Sequence, residues 1–577
     1  LAYVRDTYGE EHVALVGQPD HLSVHPGAVI ITPGPLTDVT PVQWTAKGFL
    51  ISQYDHRDVE AIGLPKIDLL GIRALTVLAD SAELVRRHLD ADFRLEDIPP
   101  DDPATAAALE RGDTIGVFQC DSSGAQRTLR QLRARSIKDL AVANAFFKPG
   151  PALGGMARQF VLRYRGEAPV TYLHPALEPI LGRTKGVLIF QEQILRIATE
   201  IAGLSWEQAD HLRRGMSHFG RDEMAAMQSV FTAGCMRPAP GGPGFTQQQA
   251  DTLWEQVLPF AGYGFNQGHA TAYAAVSYES TYMRVHYPAP FFAARLANFG
   301  GYHHPAVYMA EAQRLGIPVH PPHVNHSGRK FTLEMGEKGR EREKKENRET
   351  WKPRELEELE ESENPTFPSS ASLWMGLSQV RDLRRTAVRA ILSERRKRPF
   401  RSLRDLLNRL DLQVKEALHL VQCGALDGLG APRAEMLAQI DDVRRAGSVL
   451  QGSFNFDTGP IVPDTAAQRL AWEMHLLGWP VSVTPLDALD ELPAERVELD
   501  ELAENMGRMV TVLGYRLPGW TGGKGFFLAD GQTYVIAIGD ESRPNPRPWL
   551  PMRVQGRWRA DQYGTAWFIA SDWAELG

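Results

Sequence analysis

A charged segment between Gly336 and Ser370 divides the chain into parts that cannot share one hydrophobic core. It contains the run EKGREREKKENRETWKPRELEELEESE, is nearly devoid of other apolar residues and closes with Pro365 and Pro368. Such a composition buries too little apolar surface to fold by itself and predicts a disordered or helical surface insertion. The chain has 577 residues, more than the ~250–300 that one core organises, so several domains are expected.

The apolar periodicity differs on the two sides of this segment. Mixed α/β and helical patterns precede it, and apolar residues from Leu373 to Leu437 recur at helical spacing. Between Met509 and Trp573, apolar and polar residues alternate between glycine-rich turns, as in a small β-barrel. The predicted fold class is therefore multidomain, with α/β, α and β parts.

Cysteine usage and hydropathy predict a cytoplasmic protein with no membrane partner. Cys120, Cys235 and Cys423 lack the spacing of a zinc module or a disulfide framework. No apolar run approaches the ~20 residues that cross a bilayer, and no basic-then-apolar leader opens the chain. The first residue is Leu1, and residues 1–16 read as the middle of a domain, so we expect a fragment.

The distribution of charge matters more than its sum. A formal net charge of −8 argues by itself against a nucleic-acid partner, because phosphate binding needs lysine and arginine. Two basic clusters oppose this argument. They are Arg127, Arg130, Arg133 and Arg135 at helical spacing, and the stretch from Arg381 to Arg401. Each cluster is also compatible with a solvated helix face.

Residues 66–71, Lys-Ile-Asp-Leu-Leu-Gly, alternate as in a strand that places Lys66 and Asp68 on one face. Apolar residues then recur at helical spacing and predict a helix packed on the strand's other face. These residues are Leu75, Leu78, Ala82, Val85 and Leu89. An aspartate beside a lysine suits metal-assisted phosphoryl transfer, although a surface ion pair fits equally.

Two further segments offer groups that bind nucleotides. Residues 205–208, Ser-Trp-Glu-Gln, form a capping box that predicts a helix carrying Asp210, Arg213 and Arg214. Arginine forks grip phosphate oxygens with two bonds, but a solvated basic turn is the alternative. Downstream, three residues spaced three apart predict one side of a helix. They are Tyr263, Asn266 and His269, and they suit either a nucleotide or a helix cap with a core histidine.

Together these stretches resemble the bacterial C-family DNA polymerases, the family of the DNA polymerase III alpha subunit. The matching stretches run in family order. They are HLSVHPGAVIITPGPLTDVTPV (21–42), GLPKIDLLGIRALTVL (63–78), DTIGVFQCDSSG (113–124), FFKPGP (146–151), HPALEPILGRTKGVLIFQEQIL (174–195), ADHLRRGM (209–216) and GYGFNQGHATAYAAVSYESTYMRVHYPAPF (262–291). Collinear matches over most of the chain are more specific than any single motif.

The resemblance implies template-directed DNA synthesis by a two-metal Mg²⁺ mechanism. Asp68 would be the third metal-binding carboxylate of the palm, and Lys66 would contact the incoming triphosphate. Arg213 and Arg214 would hold phosphates from the fingers. Tyr263, Asn266 and His269 would line the nucleotide pocket.

The resemblance also implies that catalytic parts lie outside this chain. The family's paired palm aspartates precede a sequence like residues 1–16, and VALVGQPDHLSVHPG (13–27) passes directly to a segment that the family places beyond its thumb. Because two-metal transfer needs more than one carboxylate, we expect no polymerisation by this polypeptide alone. Incomplete strands would expose apolar surface, so we also expect aggregation.

Two C-terminal modules resemble DNA-binding parts of the family. Leu373 to Leu437 is similar to its helix-hairpin-helix region, with candidate contacts at Arg381, Arg384, Arg385, Gly424 and Gly428. Residues 380–384, Val-Arg-Asp-Leu-Arg, lack the family's glycines, which makes a tight first hairpin harder. Residues 469–487 and 509–520 resemble the connector and first strand of an OB-fold, whose candidate base-stacking rings are Tyr515, Trp520, Phe526 and Phe527.

The expected partners are primed DNA, dNTPs and other proteins of a damage-induced mutagenic complex. The chain stops at the barrel, and LRRGMSHFGRDEM (212–224) departs from replicative members, so the error-prone branch in translesion synthesis is favoured. A sliding-clamp peptide is a candidate at Gln451, Phe454 and Phe456. The alternatives are a replicative alpha-subunit fragment and a catalytically inactive DNA-binding scaffold, the latter favoured by Lys148 in place of the family's arginine.

The predicted domains follow the family order. They are a partial palm (1–90), helical fingers (91–330), a charged insertion (331–370), a helix-hairpin-helix module (371–450), a connector (451–500) and an OB-fold (501–577).

Overall fold

The computed structural model describes most of the chain, in two compact units. The described residues are 24–25, 27–45, 48–69, 71–146, 156–215, 221–261, 265–336, 371–446, 462–493, 496–519, 521, 525–539 and 544–576. The units are Leu1–Arg73 and Ala74–Gly577. Several predictions fall outside the described residues. They are residues 337–370 of the charged insertion, Lys148, Tyr263, the clamp-binding candidates Gln451, Phe454 and Phe456, and Trp520.

The described part of the first unit contains two small antiparallel sheets and one short helix. Its elements are β1 (Ala28–Ile30), β2 (Val42–Trp44), β3 (Leu50–Ser52), α1 (His56–Ala61) and β4 (Lys66–Asp68). Strand β1 pairs with β4, and β2 pairs with β3. Large apolar side chains remain exposed, including Trp44, Phe49 and Leu69. This agrees with the expected exposure of apolar surface, and the aggregation expected from it stays a prediction.

The second unit begins with a largely helical region. Its helices are α2 (Arg73–His88), α3 (Pro103–Arg111), α4 (Ser123–Leu132), α5 (Ile137–Phe146), α6 (Met156–Tyr164), α7 (Glu178–Leu181), α8 (Gln191–Arg196), α9 (Trp206–Gly215), α10 (Arg221–Cys235), α11 (Gln247–Ala261), α12 (Gln267–His286), α13 (Pro288–Ala297) and α14 (Pro305–Arg314). The predicted apolar face of α2 is confirmed for Leu78, Ala82 and Val85, which are buried, whereas Leu75 is exposed.

Helix α12 is the long central element of this region. Its Tyr278 is buried and accepts a hydrogen bond from the Asp102 amide at 2.9 Å. At its C-terminal end His286 lies 2.9 Å from the Asp102 carboxylate. Burial raises the pKa of Asp102, but hydrogen bonds from His286 and Thr105 outweigh burial and hold the pKa at about 2. The ionised aspartate therefore fixes α12 against the start of α3.

In its described residues, the next module combines a three-stranded sheet with four helices. Its strands are β5 (Val319–His320), β6 (Thr332–Met335) and β7 (Ala371–Trp374), in the order β5-β7-β6. Its helices are α15 (Arg385–Lys397), α16 (Leu403–Arg409), α17 (Val414–Gln422) and α18 (Arg433–Ala446). This confirms the helical prediction for residues 373–437. Helix α19 (Ala466–Leu477) follows, and its Glu473 is fully buried.

A closed five-stranded barrel confirms the barrel predicted from the alternating pattern. Its strands are β8 (Met509–Leu517), β9 (Gly525–Ala529), β10 (Tyr534–Ile538), β11 (Pro551–Ala560) and β12 (Ala566–Glu575). Around the barrel they run β10-β12-β11-β8-β9. The β10–β12 pair is parallel and the others are antiparallel. A bulge between Gln555 and Gly556 re-aims the end of β11.

A buried charge network joins the barrel to the helices. Glu311 of α14 is completely buried and accepts hydrogen bonds from Arg284 at 2.5 Å and from Arg314 at 2.7 Å. Tyr534 of β10 donates its hydroxyl to the same carboxylate at 2.7 Å. Arg284 also bonds Asp113 at 2.7 Å. Because every charge is paired, burial of the group is tolerated.

Removing Glu311 should therefore destabilise the second unit. We expect Glu311→Ala to lower the free energy of unfolding by about 3 kcal/mol, because Arg284 and the Tyr534 hydroxyl lose a buried partner. Urea unfolding followed by circular dichroism measures the change. The control is Glu83→Ala, which breaks exposed pairs with Arg86 and Arg87 and should cost no more than about 1 kcal/mol. An equal decrease in the free energy of unfolding for both variants would show that the buried network stabilises the protein no more than an exposed ion pair does.

Candidate nucleic-acid interface

Strand β4 presents the predicted lysine–aspartate pair. Lys66 Nζ lies 2.8 Å from Asp68 Oδ2, and both side chains are partly exposed. The ammonium lowers the pKa of Asp68, so the carboxylate is ionised at neutral pH. Ile67 and Leu69 are exposed at 46% and 64%. The predicted packing of a helix on these two residues stays a prediction.

Asp68 can supply one oxygen ligand to Mg²⁺, which prefers carboxylates. In the parts of the chain that the structure describes, no group of three or more His, Cys, Asp or Glu side chains is arranged to hold a metal. The described residues therefore do not by themselves fit a two-metal centre.

The predicted capping box opens helix α9. The Ser205 amide bonds Gln208 Oε1 at 2.9 Å, and the Gln208 amide bonds Ser205 Oγ at 3.2 Å. On the next turn Arg213 is half-buried and pairs with Asp210 Oδ1 at 2.7 Å. The side chain of Arg214 lies outside the described residues. The helix start is thus confirmed, and the phosphate contacts of both arginines stay predictions.

The N-terminus of α12 carries the candidate nucleotide pocket. Asn266 caps the helix by accepting the His269 amide at 2.7 Å, as the capping alternative expects, but a cap does not exclude a nucleotide, and the nucleotide role stays a prediction. His269 is exposed rather than in a core, and its ring lies 3.9 Å from that of Tyr273. Glu192 Oε2 accepts the Gln267 amide at 2.8 Å. Tyr273 and Glu192 were not predicted; Tyr273 follows His269 by four residues, a spacing that could have revealed it.

The first hairpin forms without glycine. Asp382 adopts a φ of 61°, a left-handed conformation that aspartate tolerates better than most residues. Lys415 holds its carboxylate at 2.7 Å. Arg384 bonds the buried Glu416 through Nε at 2.9 Å and Nη2 at 2.8 Å. The expected difficulty of this turn is thus resolved by Asp382. Arg381, Arg384 and Arg385 are all exposed, but the guanidinium of Arg384 is engaged by Glu416.

The second hairpin, between α17 and α18, uses glycine as predicted. Gly424, Gly428 and Gly430 have φ values of 83°, 77° and 94°. Arg433 is buried and grips Asp427 with Nε at 2.8 Å and Nη2 at 2.5 Å. Gly428 and Gly430 are exposed, and no acceptor among the described residues bonds their amides. The loop tip therefore offers amide donors to a ligand.

His323 supports this hairpin from the opposite side. Its Nε2 lies 3.0 Å from the Asp427 carbonyl, and its Nδ1 accepts the Asn325 amide at 3.1 Å. Nε2 must therefore donate, and the ring is the neutral Nε2–H tautomer. Burial lowers the pKa of His323 to about 4.

The prediction that four aromatic rings of the barrel stack on bases is wrong for three of them. Tyr515, Phe526 and Phe527 are buried, at 6%, 0% and 1% exposure, and the fourth, Trp520, lies outside the described residues. Tyr515 stacks on Trp549 at 5.9 Å instead. The buried rings cannot stack on bases, because helices or the barrel interior cover them.

Three family models match this chain. The bacterial DNA polymerase III alpha NTPase domain matches residues 6–71, and the bacterial DNA polymerase III alpha subunit finger domain matches 74–238. A helix-hairpin-helix motif matches 316–436. The chain belongs to the bacterial DNA polymerase III alpha subunit family. The NTPase-domain match ends and the finger-domain match begins where the two compact units divide.

Curated relatives of this polymerase family carry two kinds of name. DNA polymerase III subunit alpha of Thermus aquaticus is 36% identical over 76% of this chain and 33% of its own length. The error-prone DNA polymerases of Nocardia farcinica and Corynebacterium efficiens are 33% and 32% identical over 85% and 94% of this chain, and over 40% and 47% of their own lengths. The chain thus spans less than half of each. Among the described helices, none is long and apolar enough to cross a membrane.

The buried histidine predicts a pH-dependent stability for this family member. An unfolded histidine takes up a proton below pH 6.5, whereas folded His323 resists protonation until about pH 4. Stability should therefore fall as the pH falls from 6.5 to 4, by up to about 3 kcal/mol, and level off below. In urea titrations, His323→Gln should flatten this slope. The control variant His211→Gln removes an exposed imidazole and should show the same dependence of stability on pH as the wild type. A wild-type slope in His323→Gln would contradict the assignment.

Proposed function

We propose that this chain supplies the fingers, helix-hairpin-helix module and C-terminal barrel of a template-directed DNA polymerase. The reaction is nucleotidyl transfer from a dNTP to a primer 3′-OH with Mg²⁺. The observation that carries the proposal is the pair of hairpins in a chain of this family. Exposed Arg381 and Arg385 lie on the first hairpin, and free amides of Gly428 and Gly430 lie on the second. Both kinds of group suit a phosphate backbone.

Roles at the reaction centre follow the family motifs. Asp68 would bind Mg²⁺ and Lys66 would contact the triphosphate. Arg213 and Arg214 would hold phosphates, while Tyr263, Asn266 and His269 would line the nucleotide site. The exposed His269 ring, which lies 3.9 Å from the partly exposed ring of Tyr273 at an interplanar angle of 52°, supports a nucleotide site at this helix end, since an accessible aromatic ring can receive a base.

The barrel is proposed to be an OB-fold. Its strand order, with the third and fifth strands parallel, supports this assignment. We further place the protein in the error-prone branch, in translesion synthesis. In support, the alignment with the error-prone relative from Corynebacterium efficiens extends over 94% of this chain. Lesion bypass by the polymerase would test the branch, and a replicative polymerase should stall instead.

The hairpin assignment predicts a change in salt dependence. We expect Arg381→Ala with Arg385→Ala to weaken binding to primed duplex DNA and to reduce the slope of log affinity against log salt by about 2, since each lost phosphate contact removes about 0.9. Fluorescence anisotropy measures both quantities. Arg94→Ala, which removes an exposed arginine, is the control. An unchanged slope in the double variant would show that these arginines do not contact phosphate.

The catalytic assignment predicts a specific loss of extension. Primer extension with Mg²⁺ and four dNTPs is run beside binding of the same primed DNA. Binding without extension is the result we expect of this polypeptide alone, because the resemblance places the paired palm aspartates outside it. With a polypeptide that carries those aspartates added, extension should appear, disappear in Asp68→Asn, whose amide is a poorer Mg²⁺ ligand, and persist in Asp58→Asn, an exposed aspartate of α1. Binding without extension even then would favour the DNA-binding scaffold. A wild-type protein that neither binds primed DNA nor extends the primer would refute the proposed function.

A further inference from the structure

The barrel packs on the helices through its second and third strands. Tyr534 of β10 bonds Glu311 of α14, and the Phe527 ring of β9 lies 5.1 Å from His303, edge to face. All five residues of β9 are buried, although alternate residues of a barrel strand should face outward. Both sides of this strand are therefore covered by protein.

The loops at the ends of these strands are engaged as well. The Thr521 carbonyl, between β8 and β9, accepts a hydrogen bond from Ser123 of α4. In the β11–β12 loop, Asp561 pairs with Arg127 at 3.5 Å, and the Tyr563 ring lies 5.3 Å below the Arg165 guanidinium. OB-folds bind oligonucleotides on the second and third strands and on these two loops. That surface is occupied by the protein itself.

The opposite face of the barrel is basic and open. Arg553, Arg557 and Arg559 of β11 are exposed, and within the described part of the chain no carboxylate pairs with any of them. The register places Arg557 between Met509 of β8 and Ile569 of β12. These two apolar residues are exposed at 51% and 37%. Arg557 donates from Nη1 to the Gly507 carbonyl at 2.8 Å, which holds its guanidinium on this face without neutralising the charge.

An aromatic ring completes this face. Trp567 of β12 lies opposite Arg559 and is half-buried, so part of its ring is accessible. The acidic residue on the same face is Asp572, opposite Gln555, between Arg553 and Arg557 along β11. Arginines on a rigid strand beside a partly accessible aromatic ring are the elements with which proteins bind single strands.

We propose that single-stranded DNA binds the outer face of β8, β11 and β12 rather than the β9–β10 face. Arg553, Arg557 and Arg559 contact phosphates, and Trp567 stacks on a base. The proposal rests on the DNA-handling function proposed above and names the surface that contacts the unpaired strand.

Binding of oligo-dT by the whole chain tests this surface. Replacing Arg553, Arg557 and Arg559 with Gln should reduce the slope of log affinity against log salt by about 2, since each phosphate contact on a single strand contributes about 0.7. Trp567→Ala should bind about 5- to 100-fold more weakly, and Trp567→Phe should recover part of the loss. Arg547→Gln, whose guanidinium pairs with Glu575, is the control. An unchanged slope and affinity would overturn the proposal.

Two further measurements locate the bound single-stranded DNA on the barrel. Photo-crosslinking with an oligo-dT that carries 5-iododeoxyuridine should label Trp567, whereas labelling of β9, β10 or Tyr563 would overturn the proposal. Tyr534→Phe weakens the docking of the barrel and should leave oligo-dT binding unchanged. Tighter binding by this variant would mean that the covered face is the true site. Failure of the wild type to bind primed DNA at all would instead refute the proposed function, and the arginine variants should retain primed-duplex binding through the hairpins.

Discussion

Glu311 accepts hydrogen bonds from Arg284 of α12, Arg314 of its own helix and Tyr534 of the barrel. A carboxylate in a dry interior is stable only while its partners remain. The packing of the long central helix and the position of the barrel are therefore linked through one side chain. Asp113, which also binds Arg284 and Arg314, extends this link to the loop after α3.

This link determines which surface of the barrel is accessible. By holding β10 against α14, the Tyr534–Glu311 bond turns the β9–β10 side inward and leaves β11 outward. The rings of Tyr515, Phe526 and Phe527 then serve packing, whereas the arginines of β11 remain without acidic partners. If the barrel is the OB-fold proposed above, the face that it leaves accessible differs from the one that such barrels use for oligonucleotides.

Local signals in the sequence predicted local structure well. The Ser205 capping box, the strand at Lys66 and Asp68, and the barrel pattern are confirmed, because each depends on neighbouring residues alone. The aromatic candidates of the barrel failed for a different reason. Alternation shows that a strand has two faces, but not that a helix more than two hundred residues earlier covers one of them. The same limit applies to Arg384, whose partner Glu416 lies 32 residues away.

Both hairpins contain an aspartate whose charge is neutralised by a basic side chain, although their backbones turn with different residues. The first has Asp382 in the left-handed conformation that glycine usually occupies, and the second has Gly424 and Gly428 there with Asp427 beside them. An aspartate at a hairpin tip would repel a phosphate backbone. Lys415 neutralises Asp382 and Arg433 neutralises Asp427, so neither carboxylate opposes the anion. A glycine-poor hairpin is thus compatible with DNA binding when a basic side chain from another helix, here Lys415 of α17, pairs with the residue that replaces the glycine.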